Sequence, residues 1–147
     1  MHGKAASLML LALCQIATMA LWFSATAILP SLQVEFSISA AQSSLLTSTV
    51  QFGFVIGTLA SAALGLADRL NPKRFFMASA LVATMANTAI LAVEPGGNGI
   101  LVLRFITGAC MAGVYPLGIK MASTWADNDM GLLIGILVGA LTLGSAA

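Results

Sequence analysis

Residues 36–93 read FSISAAQSSLLTSTVQFGFVIGTLASAALGLADRLNPKRFFMASALVATMANTAILAV, and this stretch decides the fold. It contains two runs without a charged residue, 36–67 and 75–93, on either side of the charged segment Asp68–Arg74. A helix that crosses a bilayer needs about 20 consecutive apolar residues. The stretch therefore predicts two transmembrane helices that are joined by a short charged loop.

The composition of the whole chain agrees with a membrane protein. Of its 147 residues, 59% are hydrophobic and only 7% are charged, whereas a soluble domain carries about 25% charged residues. A surface with so few charges cannot face water, so soluble folds are excluded. The net charge of +1 and the lack of a basic patch argue against a nucleic-acid partner.

The sequence offers no constellation for enzymatic chemistry or metal binding. Its two cysteines, Cys14 and Cys110, both lie in apolar runs and have no metal-ligand spacing. The lone histidine, His2, is terminal, so no serine–histidine or cysteine–histidine pair is available. We therefore expect a protein that is not an enzyme and has no cofactor.

Further apolar runs extend the pattern in both directions from residues 36–93. The sequence predicts one all-α membrane domain over residues 1–147, with helices at about 7–34, 40–66, 73–93, 99–124 and 130–147. The last helix would rise about 25 Å and has no polar tail, so we expect the chain to be cut off within its fifth helix. A cleaved secretory signal is the alternative for the first run, but that run is longer than a signal core.

The basic residues fix the predicted orientation. They stand before the first helix, between the second and third, and at the end of the fourth: Lys4, Arg69, Lys73, Arg74 and Lys120. The alternate breaks, 35–39 and 94–98, contain neither Lys nor Arg. Cytoplasmic loops are enriched in Lys and Arg, so we expect a multi-pass plasma-membrane protein, in a bacterial inner membrane, with a cytoplasmic amino terminus.

Two of the loops contain residues that begin helices. Ser39 followed by Gln42 has the spacing of a capping box. Asn71 before Pro72 places a side-chain cap ahead of a proline in the first helical position. These pairs predict the starts of the second and third helices.

Small residues recur at every fourth position in two helices. The second helix has Gly53, Gly57, Ser61 and Gly65, and the fifth has Gly131, Gly135 and Gly139. Helices in lipid associate through close backbone contact at small residues. These residues predict tight static packing or a surface along which helices rock, and the sequence leaves both interpretations open.

The charged loop carries a family resemblance. Its relevant residues are Gly65, Asp68, Arg69, Asn71, Lys73 and Arg74. They resemble the loop signature of the major facilitator superfamily, Gly-x-x-x-Asp-Arg-x-Gly-x-Arg/Lys-Arg/Lys. Two positions depart from it: Leu64 occupies the slot of the first glycine, and Asn71, which tolerates left-handed backbone better than most residues, replaces the second.

The fourth helix is similar to a second signature of the same family. Arg104 is followed by Gly108 and Gly113, with Thr107 where the family usually has glutamine. The resemblance implies the amino-terminal part of a six-helix half, which would rock against a second half that the chain lacks. It also implies that Asp68 acts as a latch carboxylate with Arg69 and Arg74 as partners. A simple topology signal is the alternative role for this loop.

Polar residues within the helices are the candidates for contact with a solute. Arg104 and Tyr115 share one face of the fourth helix, and snorkelling is the alternative role for the arginine. Gln15 and Trp22 lie on a polar face of the first helix, and Gln51 lies on one of the second. Hydrogen bonding between helices is the alternative role for such side chains.

These observations predict a secondary active transporter that moves a small polar or anionic solute by alternating access. Its partners would be the lipid bilayer, the solute and the missing carboxyl-terminal half. The first four helices hold no carboxylate, so proton coupling would have to use that half or Glu35. The alternative function is a stand-alone membrane protein of four or five helices, acting as an assembly partner or a dimeric channel.

Overall fold

The computed structural model describes residues 2–94, 97–124, 130–132, 134–136 and 138–139. Every regular element bounded within them is a helix: α1 His2–Phe36, α2 Ala40–Leu64, α3 Leu66–Arg69, α4 Pro72–Ala89, a 3-10 turn Ile90–Ala92, α5 Asn98–Met111 and α6 Tyr115–Ser123. Four segments are long and apolar enough to cross a membrane: Met9–Ser31, Ala40–Leu64, Pro72–Ala92 and Asn98–Ser123. The expected all-α membrane bundle is confirmed. The predicted fifth helix lies partly outside the described residues, and residues 130–132, 134–136 and 138–139 are helical.

The predicted start of α2 is confirmed. The backbone N–H of Gln42 donates to the Ser39 hydroxyl at 3.2 Å, and the Ser39 N–H donates to Oε1 of Gln42 at 3.0 Å. At its other end, α2 stops at Gly65, whose φ of 60° is left-handed. Glycine adopts this conformation without steric cost, so Gly65 turns the chain out of the second span and into α3.

The predicted cap of α4 is also confirmed. The Asn71 side chain accepts the backbone N–H groups of Lys73 at 3.1 Å and Arg74 at 3.3 Å, with Pro72 in the first turn. Asn71 itself has φ −62° and ψ 120°. The expectation that Asn71 replaces a glycine by adopting left-handed backbone is therefore wrong. Gly65 supplies the left-handed residue of this loop.

The fourth span is broken, whereas a continuous helix over 99–124 was expected. Helix α5 ends at Met111, and α6 begins at Tyr115. Between them Gly113 and Val114 donate to carbonyls three residues earlier, at 2.9 and 3.0 Å. Pro116 has no N–H with which to continue the α-helical ladder. The break therefore follows from Pro116, and it places Tyr115 at the start of a new helix.

The fourth span is the centre of the bundle. It is 50% buried, compared with 22% or less of each other span. Helix α2 packs closely on α5, because a Cβ atom on Gly53, Gly57 or Gly108 would collide with backbone of the opposite helix. Gly113 packs against α4 as well, but there a Cβ atom would meet the side chains of Ser79 and Phe75.

The remaining residues of the small-residue pattern lie elsewhere. Ser61 is half-buried and lines a cavity of about 180 Å³ beside Asp68. A Cβ atom on Gly131, Gly135 or Gly139 would meet no atom within 4 Å. Among the described residues of this small-residue pattern, glycine therefore packs against opposite backbone at Gly53 and Gly57, where α2 meets α5.

Candidate functional site

A cavity of about 380 Å³ lies between α1, α2 and the start of α6. It is lined by Met19, Trp22, Phe23, Gln51, Phe54 and Tyr115. Three of the candidates from the sequence therefore meet here: Trp22, Gln51 and Tyr115. The break before Tyr115 brings the last of them to the cavity at the beginning of a helix.

The walls of this cavity are mainly aromatic. The rings of Trp22 and Phe54 meet edge to face, with their centroids 5.2 Å apart, which is a favourable geometry for two aromatic rings. The amide of Gln51 and the hydroxyl of Tyr115 are the hydrogen-bonding side-chain ends among the lining residues, together with the indole N–H of Trp22. Ligand sites commonly combine such apolar walls with a few polar groups.

Arg104 lies behind the cavity wall. It is 0% exposed, and its guanidinium donates to α1: Nη1 to the carbonyl of Leu21 at 3.3 Å and Nη2 to that of Trp22 at 2.7 Å. Arg104 is not among the residues that line the cavity. The guanidinium is buried within the bundle, and its two hydrogen bonds join α5 to α1.

Gln15 is separate from the cavity as well. It is 0% exposed on α1, and neither Nε2 nor Oε1 has a hydrogen-bond partner among the described residues. Its amide lies against Gly118 in α6, where a Cβ atom would come within 2.7 Å of Oε1. The structure therefore divides the sequence candidates into a cavity group and two buried residues, Arg104 and Gln15.

Asp68 of the charged loop forms an ion pair with Lys120 that the sequence did not predict. Lys120, at the end of α6, pairs with Oδ1 of Asp68 and also donates to the carbonyl of Ala67 at 2.9 Å. The hydrogen bond and the charge of Lys120 lower the pKa of the Asp68 carboxyl from its ordinary value. Asp68 lies in α3 and Lys120 in the last turn of α6. The sequence predicts both on the cytoplasmic side, and this shared side was the available signal for the pair.

The other signature cations point outward. Arg69, Lys73 and Arg74 are all exposed, whereas the resemblance implied that Arg69 and Arg74 would be the partners of Asp68. Within the described part of the chain, no group of three His, Cys, Asp or Glu residues is arranged to hold a metal ion.

Two curated proteins that are similar in sequence to this chain are both named as transporters. The chain is 30% identical over 98 residues to the niacin transporter NiaP of Acinetobacter baylyi, an alignment that covers 67% of this chain and 22% of that protein. It is 27% identical over 121 residues to an uncharacterized transporter of Buchnera aphidicola, with 82% and 29% covered. The chain thus spans less than a third of the length of these curated relatives.

No solved structure matches the chain significantly. The family model of the Major Facilitator Superfamily, in contrast, matches residues 11–147, which include nearly all of the first span, the other three spans and the charged loop. The matched region is most of the chain, and the relatives are named as transporters rather than enzymes. The chain is therefore a multi-pass membrane protein that belongs to the Major Facilitator Superfamily.

Proposed function

We propose that the chain forms the amino-terminal part of a secondary active transporter that moves a small polar solute by alternating access. The observation that carries the proposal is the cavity where Trp22, Gln51 and Tyr115 meet. These residues belong to three different spans, and transporters of this type bind their solute between helices near the middle of the membrane. A second bundle, from the rest of a protein of the relatives' length, would close the cavity from the other side.

The cavity favours a solute with an aromatic or apolar body. The expectation of an anionic solute rested on Arg104, whose Nη atoms both donate to backbone carbonyls. None of the described residues that line the cavity is a cation. The niacin in the name of one relative has a small aromatic ring with polar groups. It is therefore the first solute to test, beside other small aromatic acids and amides.

Proton coupling through a carboxylate would need a residue beyond the four spans. Those spans contain neither Asp nor Glu. Glu35, which follows the first span and is exposed, is the nearest carboxylate to the α1–α2 end of the bundle. Coupling would therefore use Glu35 or a group in the second bundle.

The charged loop supports a proposal for the latch. The pair of Asp68 and Lys120 joins α3 to α6, and it leaves Arg69, Lys73 and Arg74 exposed. In this arrangement the exposed cations are available to a second bundle, and Lys120 holds the loop in position. The latch would then stabilise one of the two access states.

The proposed orientation places the amino terminus and this loop in the cytoplasm of a bacterial cell. Ser37 and Asn71 are both exposed and lie in opposite connections. In Ser37→Cys and Asn71→Cys variants, an impermeant thiol reagent added outside intact cells should label position 37 only. Labelling of position 71 but not of position 37 would reverse the orientation.

Uptake by cells that express the full-length carrier tests the function. We expect saturable uptake of niacin or of another small aromatic acid or amide. The Gln51→Leu variant should raise KM about fivefold, because it loses a hydrogen bond of about 1 kcal/mol. Thr84→Val is the matched control, since Thr84 is exposed and its hydroxyl bonds its own helix at the Ala80 carbonyl. Uptake no higher than in cells with an empty vector, for every solute, would refute the proposal.

A further inference from the structure

Gln15 is a buried polar side chain that the cavity leaves unused. It is 0% exposed, and both polar atoms of its amide lack a hydrogen-bond partner among the described residues. Leaving a buried polar group unsatisfied costs about 1–3 kcal/mol. An apolar residue at this position of α1 would avoid that cost, so the unpaired amide requires a physical explanation.

Apolar residues flank the Gln15 side chain along α1. Leu11 and Met19, one helical turn on either side of it in α1, belong to a buried cluster that includes Met111, Val114 and Leu117. Opposite the amide is Gly118, and a Cβ atom there would come within 2.7 Å of Oε1. The space at residue 118 accommodates the amide, and these apolar neighbours offer it no side-chain partner.

The amide lies next to the cavity. Met19, which lines the cavity, is four residues after Gln15 on the same face of α1. Tyr115, which also lines it, is three residues before Gly118 in α6. Gln15 and Gly118 are thus one turn beyond the cavity on both helices. Methionine is flexible and adapts its shape readily, so movement of Met19 would open the amide to the cavity.

We infer that Gln15 recognises the solute by its polar edge. A glutamine amide donates from Nε2 and accepts at Oε1, side by side. It therefore pairs best with a group that carries an acceptor and a donor on one edge, namely a primary amide or a protonated carboxyl group. The aromatic side chains of Trp22, Phe54 and Tyr115 would hold the ring of the same molecule. This inference rests on the proposed function and names its solute class as aromatic primary amides, together with aromatic acids in their protonated form.

A pair of probes isolates this edge. Benzamide has both a donor and an acceptor, whereas N,N-dimethylbenzamide keeps the acceptor alone. We expect the purified full-length protein to bind benzamide at least about fivefold more tightly, because at least one hydrogen bond of about 1 kcal/mol is lost with the second probe. The Gln15→Leu variant should bind both probes equally, and as weakly as the unmodified protein binds the second.

The midpoint of thermal unfolding distinguishes solute recognition by the Gln15 amide from a structural role. If the amide were structural, Gln15→Leu would lower this midpoint. Gln15→Leu removes an unsatisfied polar group, so the midpoint of thermal unfolding should rise. Gln33→Leu is the matched control on the same helix, because the Gln33 amide donates to the Ser43 hydroxyl at 2.9 Å. That variant should unfold at a lower temperature and keep the preference for benzamide.

Two sets of results overturn the inference. Equal binding of the two probes, or no binding of either, would remove Gln15 from solute recognition. A lower unfolding midpoint in Gln15→Leu would make the amide a structural group. Either result can occur while the carrier still takes up solute and Gln51→Leu still raises KM. Failure of this inference is therefore distinct from failure of the proposed function.

Discussion

The Nη2 atom of Arg104 donates a hydrogen bond of 2.7 Å to the carbonyl oxygen of Trp22, whose side chain lines the cavity. Nη1 of the same guanidinium reaches the carbonyl of Leu21. Arginine keeps its charge and its planar set of donors in almost any protein environment. It can therefore bind two successive carbonyls of α1. Arg104 does not line the cavity itself, but it contacts the backbone of Trp22, which does.

Replacing Arg104 with alanine should destabilise the protein. The two carbonyls lose charge-assisted hydrogen bonds, each of which contributes about 1.5–3 kcal/mol. We expect a lower midpoint of thermal unfolding in detergent together with weaker solute binding, because Trp22 is no longer held in position. Thr84→Val, at an exposed position whose hydroxyl bonds its own helix, is the control and should leave both properties unchanged. An Arg104→Ala protein of normal stability that fails only in solute binding would instead place the arginine in direct contact with the solute.

Arg104 also illustrates how far the sequence could predict this molecule. The apolar runs and the paired caps identify the helices, because span length and cap spacing are local properties of the chain. An arginine inside a span signals a special role, but the sequence does not say what its donors reach. The carbonyls of Leu21 and Trp22 are more than 80 residues away, and that contact depends on packing.

At the cavity and at the charged loop, the sequence likewise predicts some residues but not all of their contacts. Trp22, Gln51 and Tyr115 were selected from polar faces of three separate helices, and the cavity joins them. Gln15 lies on the same polar face of α1 as Trp22 but does not line the cavity. A helical face is broad enough to contact two neighbours, and the Gln15 amide contacts Gly118 instead. The partner of Asp68 depends on how the end of α6 approaches the loop. The signature cations Arg69 and Arg74, which are close in sequence, did not predict that Lys120 would be this partner.

Gly108 should be the most sensitive of the small residues. A Cβ atom there would collide with the backbone of Val50, which cannot move as a side chain does. Overpacking of a core commonly costs about 1–3 kcal/mol, so Gly108→Ala should reduce the yield of folded protein and lower its unfolding midpoint. Gly135→Ala is the control, because its Cβ would meet no atom within 4 Å. Equal stability of the two variants would contradict the close contact between α2 and α5.

The Asp68–Lys120 pair predicts a specific dependence of stability on pH. Because the pKa of Asp68 is lowered in the folded protein, the pair stabilises the fold above the ordinary carboxyl pKa of 3.8. This contribution is lost as the pH falls through the lowered value. Unfolding midpoints of the unmodified protein and of Asp68→Asn should differ near neutral pH, and the difference should shrink as the pH falls below 3.8. Lys120→Met should behave like Asp68→Asn, and a gap that persists in acid would contradict the pair.

The most direct test of the transport mechanism is the accessibility of the cavity from each side of the membrane. A Gln51→Cys variant of the full-length carrier, with Cys14 and Cys110 and any other native cysteines replaced, is treated with an impermeant thiol reagent in intact cells and in inside-out vesicles. Alternating access predicts labelling from both sides, and solute should slow it. Asp68→Asn should increase labelling from one side and decrease it from the other, because a change of about 1.4 kcal/mol shifts two states tenfold. Labelling from one side only, unaffected by either solute or the Asp68 variant, would contradict the account.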